Sequence, residues 1–385
     1  MIRVIGYDGS PVDPALLAEA TLVVGGSRHL NAVTVPGGAT TLVMGDVTDA
    51  VDALIAHDGV AAVIASGDPG FFGIVRRLRA AGAQVQVHPA VSSVAMAFAR
   101  AGVEWDDARV VSVHGRDPRP GLAAVRSGGK VAVLTDPVTG PRDVAAAAPP
   151  GARLLVAERL GESQERLTWG SPAEIAEGTW ADPNVVLVLD GRAPVAPSWQ
   201  VGPMAAVGWA LADEEFEHRD GMVTKAEVRA QVLAGLAPRA GTVVWDIGAG
   251  SGSVGIECAR LGAAVCLVER DADQCARIDR NAVAHDVFVA VTQGDAPAAL
   301  SDLPQPDAVF VGGGGPEVVG AVAARTPTRV VVTLAQLERV APTVAALSGY
   351  RTDAVMLQIS RLQPLGEGTR LVPSNPVFVV TAVLP

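Results

Sequence analysis

Cysteine is scarce. Cys258, Cys266 and Cys275 are the three in 385 residues, too few and too widely spread for a disulfide framework or a CxxC metal site, so ordinary thiols and no metal are expected. Long hydrophobic runs are missing as well. Although 49% of the residues are apolar, no uninterrupted apolar run approaches the roughly 20 residues that cross a bilayer, which excludes a membrane partner. Lysine is nearly absent, with Lys130 and Lys225 the only two. Cationic work therefore falls to arginine, whose planar fork pairs bidentately with carboxylates. No cluster of five or more basic residues occurs, and the formal net charge is -11, shared evenly between the halves, so nucleic acid is not an expected partner. The opening MIRVIGYDG runs straight into a strand-like segment without the charged start, apolar middle and cleavage site of a signal peptide, and a cytoplasmic location is expected. There is no repeat at a fixed period and no low-complexity tract beyond alanine richness.

What is present is an alternation of short β-branched runs with alanine- and leucine-rich helical stretches along the whole chain, the pattern of α/β domains with mostly parallel sheets. The length favours two domains. Strands are expected at RVIG, TLVVG, VAAVIAS, QVQVHP, RVVSVHG, KVAVLTD, RLLVAER and NVVLVLD in the first half, and at TVVWDIG, AVCLVE, FVAVTQ, AVFVG, RVVVTL, AVMLQIS and VFVVTAV in the second. The last two lack an intervening helix, which predicts an antiparallel finish. Residues 190–204, DGRAPVAPSWQVGPM, hold three prolines and no sustained period and read as a linker. The expected domains are therefore 1–200 and 201–385. Thr224 and Glu227 have the spacing of a capping box at a helix start.

Residues 243–257, VVWDIGAGSGSVGIE, predict a strand, a tight glycine turn and a helix start, where open backbone amides can meet a ligand. Gly250-x-Gly252-x-x-Gly255 fits a dinucleotide, whereas Asp246-x-Gly248-x-Gly250-x-Gly252 fits S-adenosylmethionine. Glu269, ending the second strand, suits the ribose of either ligand. A pyrophosphate would be repelled by Asp246, while a sulfonium and an amino group would not. Asp295, after the third strand, can face adenine, although before Ala-Pro-Ala-Ala it is equally suited to cap a helix. Together Asp246, Glu269 and Asp295 favour S-adenosylmethionine, and Gly255 then serves close helix packing. Four glycines, Gly312, Gly313, Gly314 and Gly315, end the fourth strand on the edge where such sheets bind ligands, and are expected to border a substrate. Thr224 and Lys225 are expected to close the methionine end.

In the first half, residues 65–78, ASGDPGFFGIVRRL, would read alone as turn chemistry at Pro69 and Gly70. Together with VHPAVSSVAMAFARAG (87–102), VVSVHGR (110–116) and VGGSRHL (24–30), it resembles the cobalt-corrin branch of the tetrapyrrole methylases. That resemblance implies S-adenosylmethionine bound between two small α/β subdomains, near Gly67, Asp68, Pro69, Ser92, Ser93 and Asp136. The second half, through DGMVTKAEVRA (220–230), WDIGAGSGSVGIE (245–257) and VFVGGGGPE (309–317), is similar to the Rossmann-like class I methyltransferase of the same pathway. Fused in this order, the halves resemble the bifunctional precorrin-6B methyltransferases of cobalamin biosynthesis. The resemblance implies methylation of precorrin-6B at carbon 5 by the first half. It assigns methylation at carbon 15, with decarboxylation of the ring C acetate to give precorrin-8, to the second. Such a substrate carries many carboxylates, for which Arg116 and Arg119 are the chief candidates, with Arg28 and Arg76 behind them. His88 and His114 are expected to be structural, and no acid or base is assigned. A homo-oligomer acting on a small tetrapyrrole is expected. A methyltransferase on RNA or another small molecule, or a first half that only binds corrin, are the alternatives.

Overall fold

Valine-, isoleucine- and alanine-rich runs assemble into three main sheets in the computed structural model, which describes residues 1–191 and 208–385. The expected linker lies outside the described residues from 192 onward. The first sheet contains β1 (Ile2–Tyr7), β2 (Leu22–Gly25), β3 (Thr40–Val43), β4 (Ala61–Ser66) and β5 (Val85–His88) in the order β3-β2-β4-β1-β5. All its pairings are parallel. The second contains β6 (Arg109–Ser112), β7 (Lys130–Leu134), β8 (Arg153–Glu158), β9 (Arg166–Gly170) and β10 (Asn184–Leu189) in the order β6-β7-β10-β8-β9. Only its β6–β7 pair is parallel.

The third sheet is built from β11 (Val243–Ile247), β12 (Ala264–Glu269), β13 (Ala290–Gln293), β14 (Ala308–Val311), β15 (Arg329–Leu334), β16 (Arg351–Leu357) and β19 (Val377–Val383), in the order β13-β12-β11-β14-β15-β19-β16. Strands β11 to β15 pair in parallel, and β19 runs antiparallel to both β15 and β16. The antiparallel finish is therefore present. Between its two strands lies an unexpected hairpin of β17 (Ser360–Leu365) and β18 (Gly368–Pro373), which among the described residues pair only with each other.

The period-2 rule of a strand explains how β11 serves two purposes. Val243, Trp245 and Ile247 enter the buried cluster on one face of the sheet, while Val244 enters the cluster on the other. Trp245 is fully buried and satisfies its indole N–H by donating to the Pro304 carbonyl at 3.0 Å. By the same alternation Asp246 faces the helix Ser253–Arg260, and is 1% exposed. Helix Arg119–Arg126 of the first half reaches this sheet and adds Ala123 to the Trp245 cluster.

Candidate active site

The turn after β11 is bent by three glycines in the left-handed region, Gly248, Gly250 and Gly252, at φ of +71°, +56° and +76°. At Gly248 two constraints coincide. A Cβ there would also lie 2.8 Å from the Gly313 amide nitrogen, so the two glycine loops touch backbone to backbone. Below the turn, the Gly255 amide donates to Asp246 Oδ2 at 2.8 Å. A Cβ on Gly255 would crowd that same oxygen at 3.0 Å, which accords with the packing role expected of it. The other oxygen, Asp246 Oδ1, is buried with no hydrogen-bond partner among the described residues. Burial pushes the Asp246 carboxyl up to about 7, with the Gly255 amide opposing and the Glu269 charge adding to the rise.

Over this turn lies a cavity of about 760 Å³. Of the residues singled out from the sequence, Thr224, Lys225, Gly248, Gly250, Glu269, Asp295, Gly312, Gly313 and Gly314 line it. Asp246 sits beneath the floor rather than on the wall. Gly252 is the N-cap of the helix Ser253–Arg260 and faces Ile278, and Gly315 is the N-cap of the helix Pro316–Ala323. Glu269 is held by three amides: Gly250 at 2.8 Å on Oε2, and Arg270 and Asp271 at 2.9 and 3.0 Å on Oε1. One acceptor position on Oε2 remains. Asp295 does not cap a helix. The short helix Ala298–Leu300 starts at Pro297 without a side-chain capping bond, so the capping role is absent and Asp295 lines the cavity instead. Arg219, Gln274 and Glu317 also line the cavity and were not singled out. Arg219 lies in an irregular segment with no motif, tied to Asp271 at 3.2 Å. The helix period of Gln274 offered a signal, since it is 5% exposed on a helix reading as amphipathic.

The expected capping box is absent. Helix Ala226–Leu236 starts one residue after Lys225 with no side-chain cap. Asp213 takes the cap's place from a distant turn, accepting the Ala226 amide at 2.9 Å, while Glu227 turns outward to Arg361 at 2.9 Å. Thr224 is freed to face the cavity, its carbonyl accepting from Arg229. Arg229 is fully buried and paired at 2.6 Å with the equally buried Glu257, which also accepts the Ala210 and Leu211 amides at 2.7 and 2.8 Å. This network pins the segment carrying the cavity's upper wall onto the helix that follows the glycine turn.

In the first half Gly67, Asp68 and Pro69 follow β4 and Ser92 and Ser93 follow β5 in the first sheet, whereas Arg116 follows β6 and Asp136 follows β7 in the second. Gly67 is left-handed at φ +59°. Asp68 accepts the Gly70 amide at 2.8 Å, Pro69 is buried, and Ser92 caps the helix Ser93–Ala101 through the Ala95 amide at 3.1 Å. Asp136 folds its own loop, accepting the Gly115, Val138 and Thr139 amides at 2.9, 2.9 and 2.8 Å. These bonds, that of Gly115 foremost, hold its carboxyl below the usual carboxylate range. Contacts cross between the sheets: the Arg116 guanidinium lies 5.3 Å from the centre of the Phe72 ring, and Arg28 pairs with Glu162. Arg119 is occupied by its neighbour Asp117 at 2.7 Å. The His114 ring bonds the Thr135 carbonyl at 3.1 Å, while His88 Nε2 is buried without a hydrogen-bond partner among the described residues. Among the described residues no group of histidine, cysteine and carboxylate side chains could hold a metal, and no helix is long and apolar enough to cross a membrane.

Against families of known proteins, residues 4–176 match the tetrapyrrole (corrin/porphyrin) methylases and residues 214–383 match a precorrin methyltransferase domain. A Sinorhizobium protein named precorrin-6Y C(5,15)-methyltransferase (decarboxylating) is 37% identical over 377 residues, covering 94% of this chain and 90% of that one. Two separate Salmonella typhimurium proteins are also similar. A cobalt-precorrin-7 C(5)-methyltransferase is 33% identical over 48% of this chain and 92% of its own length. A cobalt-precorrin-6B C(15)-methyltransferase (decarboxylating) is 32% identical over 44% and 94%.

Proposed function

The chain belongs to the decarboxylating precorrin-6Y C(5,15)-methyltransferase family, and from that membership we propose how its two halves divide the work. It is a C-methyltransferase of cobalamin biosynthesis. In our reading residues 1–200 methylate carbon 5 of the precorrin, while residues 201–385 methylate carbon 15 and remove CO2 from the ring C acetate. The observation that carries the second assignment is the cavity over the glycine turn, with Glu269, ending β12, and Asp295, after β13, on its wall and Asp246 of β11 beneath its floor.

The methyl donor is S-adenosylmethionine, and the residues fit it. Glu269 keeps a free acceptor position for ribose hydroxyls, Asp295 is uncommitted beside the cavity, and the positive-φ glycines leave no side chain in the way. The buried, unpartnered Asp246 Oδ1 beneath the turn supplies negative charge to a cationic amino acid end. When bound, the donor presents an electrophilic methyl on a sulfonium. A ring carbon with enamine character is already nucleophilic, so the chain's task is to align it and exclude water. Gly312, Gly313 and Gly314 border that space, and Thr224 and Lys225 close it. In the first half Gly67, Asp68, Pro69, Ser92, Ser93 and Asp136 shape the loops of the carbon 5 site.

A homo-oligomer is part of this reading. It is supported by the hairpin of β17 and β18, whose Leu362 and Leu371 are 72% and 64% exposed and directly opposite each other.

Incubation with precorrin-6B and methyl-labelled S-adenosylmethionine tests the assignment. Two labelled methyl groups and one CO2 are expected per substrate. Asp246→Ala is expected to lose the carbon 15 methyl and the CO2 together while keeping the carbon 5 methyl. Loss of both methyl groups, or of neither, rejects the division of labour.

A further inference from the structure

We propose that Arg28 positions the precorrin for carbon 5 methylation by holding one of its peripheral carboxylates, and that Glu162 occupies that place on Arg28 until the substrate displaces it. The proposal rests on the functional reading above.

Arg28 stands in the helix Ser27–Asn31, directly after β2, at the ligand-binding end of the parallel first sheet. One guanidinium nitrogen donates to Ser66 Oγ at 2.6 Å, at the end of the adjacent strand β4, and the other pairs with Glu162 from the loop between β8 and β9. Ser66 Oγ lies 3.0 Å from His29 Nε2. Burial, with the Arg28 charge adding, pushes His29 down to about 4. The neutral ring shares that hydrogen bond with the serine, whose oxygen accepts from Arg28. The guanidinium is thus fixed from behind by the first sheet and faced by a carboxylate from the second.

The two tethers differ in kind. The Ser66–His29 side is built into the strand ends, and Tyr7 packs edge-on against His29 at 5.7 Å. The Glu162 side is an ion pair of half-exposed groups, 40% and 30% exposed, of the sort that holds weakly against exchange. A substrate carboxylate can replace Glu162 on the same fork without moving the arginine. Of the other first-half candidates, Arg119 is committed to Asp117 and Arg116 to the face of Phe72.

A strut between the sheets and a substrate anchor predict opposite signs for two variants of the full-length chain. KM for the precorrin and kcat are measured at saturating S-adenosylmethionine, with methylation at carbons 5 and 15 read separately by mass spectrometry and NMR of the products. For Arg28→Gln the carbon 5 KM is expected to rise about ten- to hundredfold, as for loss of a charge-assisted hydrogen bond, with smaller change in kcat. Carbon 15 methylation by the same molecules is unchanged, which reports an intact chain. For Glu162→Gln, which frees the fork, the carbon 5 KM is expected to fall severalfold. Arg28→Lys, keeping charge but not the fork, lies between wild type and Arg28→Gln. A KM that rises or stays level in Glu162→Gln overturns the proposal even if Arg28→Gln fails to fold, as does a wild-type KM in Arg28→Gln. A wild-type chain that adds no methyl at carbon 5 overturns the functional reading as well.

Discussion

Asp246 carries its charge at a cost to folding stability. Its carboxyl is raised from 3.8 to about 7 by burial. Between those values the folded chain keeps a proton that the unfolded chain has released, so stability falls as pH rises from about 4 to about 7 and the full penalty stands above 7. Asparagine is neutral at every pH and keeps an oxygen for the Gly255 amide. Asp246→Asn should therefore be no more stable than wild type near pH 4. It should gain on it through pH 7 and level off on the order of a few kcal/mol ahead. Calorimetric unfolding across pH 4 to 8 reads this directly, and a gap that does not change with pH would show the carboxylate ionised throughout. The sequence made Asp246 legible as an acidic strand end beside a glycine turn. It did not reveal that the residue lies beneath the turn, because that follows from which face of β11 the helix Ser253–Arg260 covers. Gly255 was legible for the matching reason, as the one residue small enough to let that helix approach. Arg219 could not be found, since nothing in an irregular segment marks which side chain turns toward a cavity.

At the scale of elements, the strands buried on both faces were plain in the sequence, because a parallel strand inside a sheet is a run of valine and isoleucine. Those missed had no such run. Strand β3 is Thr-Thr-Leu-Val with three of four residues exposed, and β17 is exposed along its whole length and includes Pro364. The start of the helix Ala226–Leu236 was legible but its cap was not. A capping box is a local pattern, whereas Asp213 arrives from 13 residues away. Two substitutions separate the alternatives. Asp213→Ala should cost about 1 kcal/mol, the usual worth of a lost cap. Glu257→Ala should cost about 3–5 kcal/mol, because it strands the fully buried Arg229 without its partner. The paired change to Arg229→Met with Glu257→Met should recover much of that loss, while leaving the Thr224 segment unanchored and carbon 15 methylation weak. Urea unfolding measures the stabilities, and product analysis measures the methylation. Equal costs for Asp213→Ala and Glu257→Ala would mean that the buried pair is no more than a local fastening.

For the whole molecule, the hairpin of β17 and β18 is where the proposed oligomer can be tested. A two-stranded ribbon is marginal in water by itself. Among the described residues this one pairs with no other strand, and its tie to the body includes the exposed Arg361–Glu227 pair at 2.9 Å. On one face the opposed Leu362 and Leu371 are open, and Met356 on the edge strand β16 is 57% exposed. Unpaired edges and open apolar faces are what a second copy covers, which is the physical content of the expected oligomer. Leu362→Lys together with Leu371→Lys places two like charges directly opposite each other, so an assembly using that face should dissociate. Light scattering behind size exclusion should then give an oligomer for the wild-type chain and a monomer for the double variant. Carbon 5 methylation should survive, because the first sheet is remote in the chain from the hairpin. A wild-type chain that elutes as a monomer of 39.3 kDa, or a double variant with unchanged mass, would leave the ribbon's exposure to be explained by contact with something other than a copy of itself.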